Sequence, residues 1–446
     1  MKKDFVKYLL KLILGVSLSA LFWFGLKAHG ETNLVKPVVV KEQGYVPFAD
    51  APINYRSEDL NDPIAKMQKE LDRGAVTLEY DSRHGYLQSV LRALRISPAS
   101  QTLVFSKTSF QYPRISPERP RALYFNDDVY VGQVDNGRLL EFVSFDPLQG
   151  AIFYVMDERR AEHPRFERSE LDCIQCHVAA TTKNVPGVML RSVYTGVSGV
   201  QAPKTPAYIT GHESPIKERW GGWYVTGRPG KLAQLGNSIY PAQDEQIPAE
   251  LSGTIDTSAY LTGYSDIVAH LVLAHQTQMH NLITQTNYQT RLALAKSGGE
   301  VSDARRAFER PAEQLVRYLL FANEAPLDSP IAGTSGFAEE FAARGPRDPQ
   351  GRSLRDFDLT KRIFRYPCSY LIYSESFDAI PEPAKSYVYR RLLEVLTNQD
   401  QSPDFAALSA EDRRAVLEIL LATKLTLPGG WKHSAQQILT ASRGNQ

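Results

Sequence analysis

Hydrophobic and polar positions divide this chain by their period. Between Ala75 and Asp157 the runs "TLVFSKTSF", "RALYFNDDVYVGQV", "RLLEFVSFD" and "GAIFYVMD" are short and rich in Val, Phe, Tyr and Ile. Turn residues separate them: Asn126-Asp127-Asp128, Asp135-Asn136-Gly137, Asp146-Pro147 and Gln149-Gly150. That pattern predicts an antiparallel, β-rich layer. "GYLQSVLRALRIS" (85–97) predicts one helix ahead of it. From Ser265 the period changes. Apolar residues fall at 267, 268, 271, 272, 279, 282 and 283, and His275 completes one helical stripe that Gly298-Gly299 ends. Further helices are predicted over 302–324 (with Pro311 inside), 382–398 and 409–424, the last opened by a Ser409…Asp412 capping box.

Residues 158–253 carry neither period. They are rich in Gly and Pro yet hold two Trp and several Tyr, a composition that argues against disorder. Residues 31–75 read as a polar lead-in with one helix around Asp62–Asp72. The expected class is therefore α+β: a β-rich N-terminal part (31–157), a loop-rich middle (158–300) and a helical C-terminal part (301–446).

Residues 1–30 stand apart. Lys2, Lys3, Lys7 and Lys11 precede a charge-free run from Leu12 to Leu26, and Ala28-His29-Gly30 supplies small residues for cleavage. This is the layout of a signal peptide, with an uncleaved membrane anchor over Phe5 to Leu26 as the alternative. Both readings export the rest of the chain, to the periplasm in a Gram-negative host, with a membrane tether in the second. The net charge is +1 and no basic stripe occurs, so nothing points to nucleic acid. With 3 cysteines in 446 residues, disulfides are not the stabilising device.

Two of those cysteines form "SELDCIQCHVAATTKNVPG" (169–187). Cys173-x-x-Cys176-His177 is the attachment signature of haem c. Two thiols bond the haem vinyl groups, and the adjoining histidine becomes the proximal iron ligand. A zinc site needs a second ligand pair, which is absent, and a redox dithiol wants a helix opening at the first Cys. One motif implies one haem. For the sixth iron position His275 is the first candidate, being a titratable ring on an apolar stripe. Met279 shares its face. His270 and His280 lie roughly 140° round the helix from it. Met189 and His212 are further candidates, the latter also as a distal acid–base group. In "ERWGGWYVTG" (218–227), Trp220 and Trp223 suit a haem edge and Arg219 suits a propionate. Cys368 reads as structural.

The stretches "FNDDVYVGQV", "LDCIQCHVAATTKNVPG", "ERWGGWYVTG", "AHQTQMHNLI" and "YPCSYLIYSESFDAIP" resemble a group of large exported bacterial proteins characterised only by a cytochrome c domain. That resemblance implies Cys173 and Cys176 as haem anchors and His177 as proximal ligand, and implies no particular reaction. The run from a β-rich unit into C-x-x-C-H is also similar in arrangement to the P460-type cytochromes, which include haem enzymes. Two functions are expected: electron transfer with redox partner proteins, or a haem enzyme or sensor with an open distal site for peroxide or nitrogen-oxide chemistry.

Overall fold

The computed structural model describes residues 46–242, 246–433 and 435. The expected signal peptide or anchor lies outside these residues. Among the described residues no helix is long and apolar enough to cross a membrane.

The runs rich in Val, Phe, Tyr and Ile form the predicted sheet. Its strands are β1 (Thr102–Val104), β2 (Arg121–Phe125), β3 (Val129–Val134), β4 (Leu139–Asp146), β5 (Gly150–Asp157) and β6 (Glu167–Arg168). The segments β7 (Arg191–Val193) and β8 (Ala207–Ile209) pair separately, and β9 (Trp223–Tyr224) returns to the main sheet. The order is β6-β5-β4-β3-β2-β1-β9, antiparallel throughout. The class is thus α+β.

Register sorts the side chains into two faces. Tyr124, Val131, Phe142 and Tyr154 lie in one row across four strands. They share a core with Ile53, Tyr55 and Ile64 of the lead-in and with Leu87 and Val90. The opposite face carries the rows Leu123-Gly132-Glu141-Val155 and Phe125-Tyr130-Val143-Phe153. Covering both faces buries all of β3, where an open antiparallel strand would alternate.

The helices in chain order are α1 (Pro63–Asp72), α2 (Leu87–Ala93), α3 (Leu171–His177), α4 (Ile267–Lys296), α5 (Val301–Leu319), α6 (Phe337–Ala343), α7 (Glu375–Asp378), α8 (Glu382–Leu396) and α9 (Ala410–Thr423). Asp62 caps α1 through Ile64 N and Ala65 N, and also accepts from Tyr154 Oη at 2.8 Å. Pro311 lies buried inside α5 without ending it. The expected Ser409–Asp412 capping box opens α9.

α4 departs from expectation. In place of one apolar stripe, every residue from Ile267 to Tyr288 is buried. The helix lies between the second face of the sheet and α5, so it has no solvent side over that length. Its polar residues survive burial by pairing. Gln276 Nε2 donates to Asn126 O at 2.7 Å, Thr286 Oγ1 donates to Leu282 O at 2.8 Å, and Asn287 Nδ2 donates to Ala379 O at 3.1 Å. Gly150 sits where sheet and helix meet. Its φ is +70°, and a Cβ there would come within 2.5 Å of Thr284 Cγ2. Strands of the first two sequence regions share one sheet, helices of the second and third pack over its second face, and the described residues fall in a single compact unit.

Candidate functional site

The motif occupies α3, one short helix in which Cys173 and Cys176 are three residues apart and His177 follows. Cys173 is half-buried and Cys176 exposed, and neither is in a disulfide. Val178 leaves the helix with extended backbone (φ −127°, ψ 89°). The chain then turns through Lys183 and Asn184, both left-handed (φ 60° and 59°), and comes back at Gly187.

That return makes a reciprocal pair. Gly187 N donates to His177 O at 3.0 Å, and His177 Nδ1 lies 2.8 Å from Gly187 O. A carbonyl only accepts, so Nδ1 carries the proton. Nε2 keeps its lone pair and has no hydrogen-bond partner among the described residues. Burial lowers the His177 pKa, the Gly187 bond opposing it, so the ring is held in the neutral form that binds metal.

Asn281 of α4 holds the loop in place. Its Oδ1 accepts from Val188 N at 3.0 Å, and its Nδ2 donates to Val188 O at 2.7 Å. The clamp approaches so closely that a Cβ on residue 187 would lie 2.2 Å from Asn281 Oδ1. Only glycine fits there. The His177 ring also meets Phe153 of β5, with centroids 4.9 Å apart.

Beside α3 a cavity of about 390 Å³ opens against the second face of the sheet. That size is within the usual range for ligand sites. Cys173, Cys176 and His177 line it together with Leu123, Val143, Phe153, Met189 and Leu273. One polar patch interrupts this apolar wall. Arg121 of β2 reaches across Gly132 of β3 to pair with Glu141 of β4. Glu141 also accepts from Ser109 Oγ at 2.7 Å and Gln111 Nε2 at 2.9 Å. A side chain at 132 would overlap the guanidinium, since its Cβ would come within 2.3 Å of Arg121 Nη2. Both charges influence His177 and Cys173, the thiol of which burial pushes up.

The residues present fit a covalently held haem. Two thiols border an apolar cavity, and a neutral imidazole on the same helical turn offers a lone pair. Among the described residues no three His, Cys, Asp or Glu side chains converge on a bare metal ion.

The other expected site residues lie elsewhere. His275 does not line this cavity. It is fully buried on the far side of α4, where both ring nitrogens are engaged: Nδ1 with His212 Nδ1 at 2.9 Å and Nε2 with Ser369 Oγ at 2.8 Å. The ring stacks against Phe321 at 4.4 Å, and burial takes its pKa down to about 3. His275 is thus a satisfied core histidine, and the iron-ligand expectation for it is corrected. His212 belongs to the same pair. Met279 is plain core. His270 and His280 bond backbone carbonyls of Tyr224 (3.0 Å) and Asp127 (2.8 Å).

Arg219 is 1% exposed, donates to Ser214 O and His212 O inside the 212–219 loop, and does not line the cavity. Trp220 and Trp223 are core residues. Trp223 supports the cavity from behind, its Nε1 donating to Arg191 O at 2.8 Å. Cys368 is fully buried, and its thiol is pushed up to about 12. Sequence reasoning missed Arg121, Gly132, Glu141, Gly187 and Asn281. For Asn281 the available signal was the density of polar residues over 276–287, on a helix that also carries the apolar stripe.

Compared with known protein families, with curated proteins and with solved structures, the chain matches none.

Proposed function

We propose that this protein is an exported monohaem c-type cytochrome that transfers electrons in the periplasm. One observation carries the reading: His177 presents an unprotonated Nε2 beside two thiols on the wall of an apolar cavity. In this reading Cys173 and Cys176 hold the haem covalently and His177 is the proximal ligand. Gly187 and Asn281 fix the tautomer and the angle of that ring. Arg121 and Glu141 place a neutralised pair on the cavity wall. Bound haem supplies a one-electron couple. Of the sequence candidates for the sixth position, Met189 is the one that lines the cavity.

The cavity also favours a second reading. The polar patch of Glu141, Arg121 and Ser109 lies in the same space as His177, which suits an open distal position where a small ligand binds. Optical spectroscopy of the purified exported protein tests both. Covalent haem, retained on a denaturing gel, is expected; its absence overturns the proposal. A ferrous spectrum unchanged by carbon monoxide supports electron transfer with a filled sixth position, and Met189→Ala should then open that position. A carbon monoxide shift in the parent protein selects the second reading.

A further inference from the structure

Exposed large apolar side chains are few among the described residues; one of them, Phe110, lines this cavity, and Leu171, Val197 and Val200 belong to segments joined to its lining residues. Phe110 lines the mouth and is 49% exposed. Leu171, 71% exposed, opens α3 just ahead of the lining residue Asp172. The 197–200 turn is tied to the mouth because Lys107, itself a lining residue, donates its backbone N–H to Gly199 O at 2.8 Å. Apolar groups concentrated on one face mark an interaction surface.

Charge gives the partner's sign. Lys107 and Arg191 line the mouth, and neither has an ion-pair partner among the described residues. Asp172 is the one lining carboxylate left to oppose these two cations, since Glu141 is neutralised by Arg121. The whole chain is almost neutral at +1, so this cationic rim is a local feature. Unpaired charges around an apolar centre steer a partner of opposite sign and then exclude water from the contact.

We infer that the mouth of the Cys173–His177 cavity is the docking surface for an electron-transfer protein with an acidic rim around an apolar patch. The inference rests on the haem reading above. The haem content of the full exported chain is therefore checked first on a denaturing gel, and its absence overturns both readings before any kinetics.

The test is stopped-flow oxidation of the reduced protein by two probes, anionic hexacyanoferrate(III) and cationic tris(phenanthroline)cobalt(III). The hexacyanoferrate rate should fall about tenfold from low to high salt while the cobalt rate rises. Lys107→Glu combined with Arg191→Glu should reverse both slopes. Poly-L-glutamate should slow hexacyanoferrate oxidation of the parent and leave that of the double variant unaffected. Identical salt responses for the two probes would overturn the inference. Self-association of the chain that buries Phe110, seen by sedimentation, would overturn it too, because a second copy would then be the occupant.

Discussion

Two histidine-bearing regions of this molecule contrast in what their rings have left over. At α3, His177 spends Nδ1 on Gly187 O and keeps Nε2 free at a cavity. Along α4, His275 spends both nitrogens, on His212 and Ser369, in a closed aromatic core. Burial lowers the pKa in both regions, so a displaced pKa does not distinguish them. The difference is an unspent lone pair facing space. A ring that satisfies its neighbours stabilises the fold, whereas a ring with one nitrogen open onto a cavity leaves room for a ligand beside it.

The contrast can be broken most sharply at the cysteines. Cys173→Ala with Cys176→Ala should abolish haem staining on a denaturing gel completely, while Cys368→Ala keeps it. Equal staining in both would remove α3 from the account. The next largest effect is on acid stability. His270, His275 and His280 are held neutral in the fold with values down to about 4, 3 and 4. Unfolded rings take up a proton near 6.5, so the unfolded state binds more protons below that pH. Their contribution is fully present above about pH 6.5 and is lost as pH falls toward 4 to 3, by about 1.4 kcal/mol per pH unit for each ring. Urea midpoints measured at pH 7 and pH 5 should show a loss of several kcal/mol.

His275→Ala separates fold from cofactor. It leaves His212 Nδ1 and Ser369 Oγ without their partner and opens a cavity, at a cost of roughly 2–4 kcal/mol. The haem spectrum should stay as it is; conversion from low to high spin would return His275 to the iron. The smallest expected effect is at the α3 loop. Asn281→Leu removes both bonds to Val188 and should cost about 1–3 kcal/mol. Here the spectrum should change together with stability, because the clamp orients His177. A stability loss with no spectral change would reduce Asn281 to a packing residue.

Much of the fold was legible because its signals are local. Short runs rich in Val, Phe, Tyr and Ile marked β2 to β5, turn residues marked their ends, and Ser409 with Asp412 marked the start of α9. The motif was legible for the same reason: its two thiols and its imidazole lie close together in the chain, on one short helix. His275 was misread because an apolar stripe reports burial without reporting partners. Those partners stand 63 and 94 residues away in the chain. Arg219 was misread in the same way, its acceptors being carbonyls of its own loop. The charged pair on the cavity wall was invisible, since strand pairing alone brings Arg121, Gly132 and Glu141 into line.

By itself the sequence determined the α+β class, most of the elements and the stretch where two thiols and an imidazole stand together. Those depend on interactions a few residues long, which composition and spacing encode. Tertiary structure alone decided which histidine turns a free nitrogen toward the cavity, which charges face that cavity and which cations rim its mouth. Each depends on a contact between segments tens of residues apart, and burial, which the pattern reveals, does not specify the partner.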